Sequence, residues 1–252
     1  LLNTYNQNAY LFKEIARTHP ERLTDAVASL QTNGSFITEK SVSGKTLNPT
    51  VLYFFALIAY ACMSGAYLSI EAVRDTQANL SPLGARRSIT PYRKQFLIFI
   101  DMLVLIFIHF INVMILTFYV NYILDIDLGN NYLAILATNF MGSLIGICLG
   151  LMIGCIGKLT FSAKIGICTS TTLLTGFLSG LMFGNMKDII EQNAPILNRI
   201  NPAAVLSDAY YCISVYNDTL RYQRCMITLL IMSVLFLGIA FLGVRRERYD
   251  SI

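Results

Sequence analysis

Two histidines, His19 and His109, are all this chain has, and they are too far apart to form an HExxH zinc site, which needs two on one helix face. A serine hydrolase would have to pair Ser143 or Ser179 with His109, yet neither serine stands in a Gly-x-Ser-Gly turn. Serines beside glycines in a small-residue ladder read as packing residues. Gly44-Lys45-Thr46 matches the end of a phosphate-binding loop, but that loop needs glycine at position 39, where the chain has Glu39. None of the six cysteines has zinc or redox spacing. Cys62, Cys148, Cys155 and Cys168 fall in apolar stretches, where cysteine behaves as a small hydrophobe. Cys212 and Cys225 read as two free thiols, with a disulfide as the alternative. No catalytic or metal-binding set emerges, and no segment is long enough for a nucleotide-binding domain.

The remaining chemistry is polar groups set in apolar sequence. Asp101 and His109 are the only acidic residue and the only histidine inside the long apolar stretches, with Asn112 one turn after His109. Asp101 lies near one end of its stretch, within reach of Arg93 and Lys94. A histidine at mid-span is a functional candidate by default, although a proton relay would need more carboxylates at depth than these. A neutral, hydrogen-bonded imidazole inside a bundle is the simpler state. Thr169, Ser170, Thr171, Thr172, Thr175 and Ser179 crowd one further stretch. Such hydroxyls bond back to their own helix at little cost, and a helix so rich in them faces protein or a cavity. His109, Asn112, Thr172, Thr175 and Ser179 are therefore candidate pathway residues, against plain packing as the alternative.

The elements that hold these residues are five apolar stretches: Pro49–Ile70, Phe96–Val120, Tyr132–Gly157, Ile165–Gly184 and Cys225–Val244. None contains any of the 19 Lys and Arg residues. A helix needs about 20 residues to cross a hydrocarbon core of about 30 Å. A Lys or Arg at the bilayer centre costs about 3 kcal/mol or more, which explains the exclusion. The fold class is an all-α polytopic helical bundle: five spans, with short re-entrant helices in the outer leaflet. Gly142, Gly146, Gly150 and Gly154 repeat every fourth residue, and Gly176, Gly180 and Gly184 repeat the device. Such ladders let another backbone approach closely, here within the chain ahead of a dimer seam.

Charge sets the expected orientation. Arg74, Arg86, Arg87, Arg93 and Lys94 crowd the loop 71–95; Lys158, Lys164, Arg245, Arg246 and Arg248 lie on the same side. Loop Asn121–Asn131 has no basic residue and carries Asp125 and Asp127. The positive-inside rule then puts loop 71–95 and the C-terminus in the cytoplasm, with residue 1 and 188–216 outside, in a cell membrane. The net charge of +4 thus reflects this asymmetry and not nucleic-acid binding. Residues 1–48 read as the end of an external domain, with a capped helix from Thr18-His19-Pro20-Glu21 to Asn33-Gly34 and a short strand near Phe36–Val42. A polar external segment must be translocated by something ahead of it, so a further span upstream is expected, six in all.

Pro82 and Pro91 divide loop 71–95 into room for one or two short helices, either an interfacial linker touching anionic lipid or an element that docks into a soluble partner. Asn201-Pro202 starts a helix running to Tyr216 with Val205, Leu206, Ala209, Tyr210 and Ile213 on its apolar side, too short to span. Asp188–Asn193 makes another, stopped by Pro195. Tyr210, Tyr211, Tyr216 and Tyr222 are the expected interfacial anchors. The alternative is an amphipathic pair lying flat on the membrane.

Three of these features together resemble the permease subunits of type-2 ATP-binding-cassette (ABC) transporters, mostly exporters. They are the loop ending Arg86-Arg87-Ser88-Ile89-Thr90-Pro91, the glycine-rich span pair closing on Phe177–Gly184, and the outer segment Ala194–Pro202 leading to Asp208. The likeness runs from Asn48 to the C-terminus, and residues 1–48 suit the subgroup with an external domain after its first span. It implies a half-transporter that pairs with a second permease, identical or not, and with ATP-binding subunits. ATP and magnesium would sit on those partners, with no cofactor in this chain, membrane lipid around it and no nucleic acid. By the same resemblance, Glu71, Arg74, Leu83, Arg86, Arg87 and Pro91 belong to the coupling element. Pro195, Asn201, Pro202 and Asp208 belong to an external gate. A secondary transporter or channel, an intramembrane enzyme and a non-transporting accessory protein are the other classes.

Overall fold

Helix starts in this molecule are written in short polar side chains. In the computed structural model, which describes residues 49–77, 81–156, 159–216 and 218–247, there are nine α-helices. They are α1 (Pro49–Arg74), α2 (Pro82–Ser88), α3 (Lys94–Phe118), α4 (Tyr132–Gly154), α5 (Phe161–Leu178), α6 (Met186–Asn193), α7 (Pro195–Ile200), α8 (Pro202–Tyr211) and α9 (Thr219–Glu247). Ser81, Asn131, Thr160, Asn201 and Asp218 stand just before α2, α4, α5, α8 and α9, each accepting from a backbone N–H of the first turn. Pro82, Pro195 and Pro202 take first-turn positions, where a missing N–H costs nothing. Single π-helical turns extend α3 over Tyr119–Ile123 and α8 over Cys212–Tyr216. The expectations placed on residues 1–48, Lys158 and Arg248 lie outside the described residues.

Among the described residues four helices are long and apolar enough to cross a membrane: α1 from Thr50 to Arg74, α3 with its π turn from Gln95 to Ile123, α4, and α9 from Thr219 to Gly243. The fourth stretch, Ile165–Gly184, differs from expectation. It is helical over Phe161–Leu178 and not to Gly184, so at 18 residues it is about 27 Å long. The reason lies at its end: Gly180 has φ +98°. The Leu181 N–H donates to the Gly176 carbonyl and the Gly180 N–H to Phe177, both at 3.1 Å. This paired closure ends helices on a left-handed glycine. Gly180 is therefore a helix stop and not a rung of a packing ladder.

α4 occupies the middle of the bundle, touching α1, α3, α5, α8 and α9. Phe55, Ile58, Met63, Val113, Ile145, Leu206, Tyr210 and Leu229 form the main core between them. α3 and α9 keep apolar faces outward, with Phe107, Ile111, Ile115, Val234 and Leu235 exposed, as lipid tails accept. α8 is not laid on the surface. Pro202 to Ser207, Ala209 and Tyr210 are all buried inside the bundle, so α8 does not lie flat, whereas α6 buries only Ile190.

Candidate functional site

One end of the bundle carries the short helix α2. Ser81 Oγ accepts from the Gly84 N–H at 2.8 Å, and the Ser81 N–H donates to the Gln77 carbonyl at 3.3 Å. A Cβ at Gly84 would collide with that same carbonyl, so only glycine lets α2 press against the turn that ends α1. Arg87 then reaches α3, its Nη1 2.6 Å from Asp101 Oδ2, with both side chains partly buried. Asp101 thus meets Arg87 and not Arg93, and the side chain of Lys94 lies outside the described ones. Arg86 and Pro91 are exposed, as are Leu83, Ile89 and Tyr92; Ile89 is 84% exposed.

Glu71 and Arg74 belong to the last turn of α1 and not to the loop, 3.9 Å apart. The Arg74 guanidinium lies 4.9 Å above the ring of Phe161 at the start of α5. Lys164, expected at the surface, is buried: its Nζ donates at 2.5 Å to the Gly154 carbonyl at the C-terminus of α4, where the helix dipole favours a cation.

Along the middle, α4 offers its glycines to α1. A Cβ at Gly142 or Gly146 would strike Cys62, one at Gly150 would strike Ala66, and one at Gly154 would touch Val73. Gly176 on α5 lies against the Tyr60 ring.

The five candidate pathway residues do not line one path. His109 is buried, with Nε2 3.1 Å from the Cys62 carbonyl; a carbonyl only accepts, so Nε2 carries the proton. The imidazole fits against Gly65, whose Cβ would clash with the ring. Asn112 points the other way, on the exposed face of α3. Thr172, Thr175 and Ser179 donate to carbonyls of their own helix at Cys168, Thr172 and Gly176, the low-cost arrangement for hydroxyls in apolar surroundings. Tyr67 Oη adds contacts to Thr169 and Thr172 at 3.2 and 3.3 Å.

A polar cluster that no sequence pattern marks sits deeper. Tyr210 on α8 donates to Asn139 Oδ1 on α4, and Asn139 Nδ2 donates to Thr117 Oγ1 on α3 at 3.1 Å. Asn139 and Tyr210 are fully buried, and the Tyr210 ring stacks on Phe55 at 6.0 Å. Tyr210 is a core residue and not an interfacial anchor, because its hydroxyl has a partner at depth. Tyr222 likewise turns inward, donating to the Ala134 carbonyl at 3.0 Å. Tyr216 is exposed and meets Tyr211 edge-on at 5.0 Å. Burial first, then the hydrogen bond to Tyr216, pushes the Tyr211 phenol up to about 12.

The residues expected to form an external gate lie on α7 and α8 and at the joint between them. Pro195 opens α7 where sequence expected only a stop, giving three short helices in place of two. Asn201 acts twice: its Oδ1 accepts from the Ala203 N–H at 3.0 Å, and its Nδ2 donates to the Thr175 carbonyl of α5 at 2.9 Å. Pro202 is buried beside it. Asp208 is an ion-pair partner, 2.5 Å from Lys187 Nζ on α6 and 3.7 Å from Arg221 on α9. Cys212 and Cys225 are free thiols. Between α6, α7, α8 and α9 lies a cavity of about 1010 Å³. Ser179, Gly180 and Gly184 at the end of α5 share its wall, with Asp188, Glu191, Asp208, Arg221 and Arg224.

The family model described as ABC-2 family transporter protein matches residues 1–242. The chain belongs to the ABC-2 transporter family. No curated protein and no solved structure matches it. The family match takes in residues 1–48 as well as the bundle, reaching further than the motifs that first suggested it. This ABC-2 chain is therefore a multi-pass membrane subunit of an ABC transporter.

Proposed function

We propose that this ABC-2 subunit is a half-permease of an exporter, driven by ATP hydrolysis on separate ATP-binding subunits that dock on α2. The reading rests above all on one observation. α2 is capped by Ser81, fitted by Gly84 and tied to α3 through Arg87 and Asp101, yet it leaves Leu83 and Ile89 exposed. A seven-residue helix fixed this firmly with apolar side chains outward suits docking into a groove of a partner. In this reading α2 and the C-terminus face the cytoplasm, and α6 to α8 with the cavity face outward as the exit gate. A second permease half, identical or not, completes the pathway, and ATP with magnesium binds the partner subunits alone.

Deleting Ser81–Pro91 tests the assignment. Membrane insertion is expected to persist while the ATP-binding subunit no longer co-purifies. Co-purification at the wild-type level rejects docking through α2. Uptake of cargo into inside-out vesicles on ATP addition, and not its release, is the expected sign of export.

A further inference from the structure

The cavity at the gate end carries its charges in an ordered way. Asp188 and Glu191 lie three residues apart on α6, and so share one face of that helix. Arg221 and Arg224 have the same spacing on α9 and line the same cavity. Among the described residues no ion pair joins the two sets; Lys187 and Arg221 turn to Asp208 instead. With Lys187, Arg199, Asp208 and Asp218 also in the lining, the cavity carries four charges of each sign.

The acidic wall is also held in position. Asn198, on α7 and only 5% exposed, donates from Nδ2 to Glu191 Oε2 at 2.9 Å and to the Lys187 carbonyl at 3.0 Å. Its Oδ1 is buried and has no donor, an acceptor left over on the wall that carries Glu191. Buried amide oxygens are ordinarily satisfied.

A simple anion placed here meets carboxylates as well as guanidiniums, and a simple cation meets guanidiniums as well as carboxylates. A ligand carrying both signs gains at each. We propose that this cavity binds a zwitterion, with a phosphate or carboxylate group on Arg221 and Arg224 and an ammonium group on Asp188 and Glu191. Calling that ligand the cargo rests on the exporter reading; the binding itself does not.

The test uses the full chain with its ATP-binding subunit in phosphatidylglycerol nanodiscs, titrated calorimetrically with phosphoethanolamine, ethanolamine and inorganic phosphate. Phosphoethanolamine is expected to bind at least about tenfold more tightly than either singly charged probe. Glu191→Gln and Arg224→Gln are each expected to bring it down to the level of those probes. Equal binding of inorganic phosphate overturns the inference. So does absence of phosphoethanolamine binding by protein that still unfolds cooperatively. Repeating the titration with phosphatidylethanolamine in the disc separates two sources of the same chemistry: weakened binding identifies a lipid headgroup, and unchanged binding a soluble solute. Loss of binding with the ATP-binding subunit still attached sinks the zwitterion alone and leaves the exporter reading standing.

Discussion

The Tyr210 hydroxyl of α8 donates a hydrogen bond to Asn139 Oδ1 of α4 in the fully buried centre of the bundle. Asn139 passes the connection to Thr117 of α3, so three elements meet in one polar knot. Apolar contact alone would let the short helix α8 slide; a buried hydrogen bond fixes its depth and its rotation, because breaking it strands both partners away from water.

Tyr210→Phe removes the donor and leaves the amide oxygen only the 3.3 Å contact to Thr117 Oγ1, which costs about 1–3 kcal/mol. Thermal unfolding in detergent is expected to fall by several degrees. Adding Asn139→Leu is expected to return part of that loss, since that amide is then gone. An unfolding midpoint unchanged in the single variant would refute the role given to this bond.

Gly146→Leu forces a side chain into the Cys62 carbonyl of α1. The expected cost is about 3 kcal/mol or more, because backbone cannot yield as a side chain does. Gly166→Leu is the matched control, since nothing lies within 4 Å of a Cβ there. The measurement is the yield of monodisperse protein, expected to collapse for the first variant and to hold for the second.

Breaking the pair between Arg87 and Asp101 removes a tether that is partly solvated, worth about 1 kcal/mol at most to stability. Its larger effect is expected on coupling. Arg87→Ala leaves folding near normal and lowers cargo-stimulated ATP hydrolysis. Exchange of the charges, Arg87→Asp with Asp101→Arg, is expected to restore part of it. Full coupling in the single variant would remove the tether from the mechanism.

His109→Ala is expected to lower stability by about 1–3 kcal/mol, since the Cys62 carbonyl loses its imidazole donor and Gly65 faces a void. Transport per folded molecule is expected to survive. Loss of transport with normal assembly would give the secondary-transporter class priority.

Legibility in the sequence followed the range of the forces involved. Asn201-Pro202 announces its helix because capping is a local event, and the apolar stretches announce themselves because lipid repels every Lys and Arg alike. The end of α5 was misjudged because the glycines at 176, 180 and 184 share a spacing, while only Gly180 takes the left-handed conformation that stops a helix. Tyr210 looked like an interfacial anchor because its partner, Asn139, is remote in sequence. Asn112 looked like His109's companion, yet a three-residue step on a helix at the edge of a bundle turned it to the exposed face. Gly84, whose missing side chain seats α2, had no periodic neighbour to mark it.

Asn201 deserves a mechanical consequence. One amide grips the last turn of α5 and the first turn of α8 together, so these two pieces rotate as a single rigid crank. The opposite end of α5 begins at Phe161, under the guanidinium of Arg74. In the proposed reading, a tilt of α5 started there is expected to reach α8 through that amide.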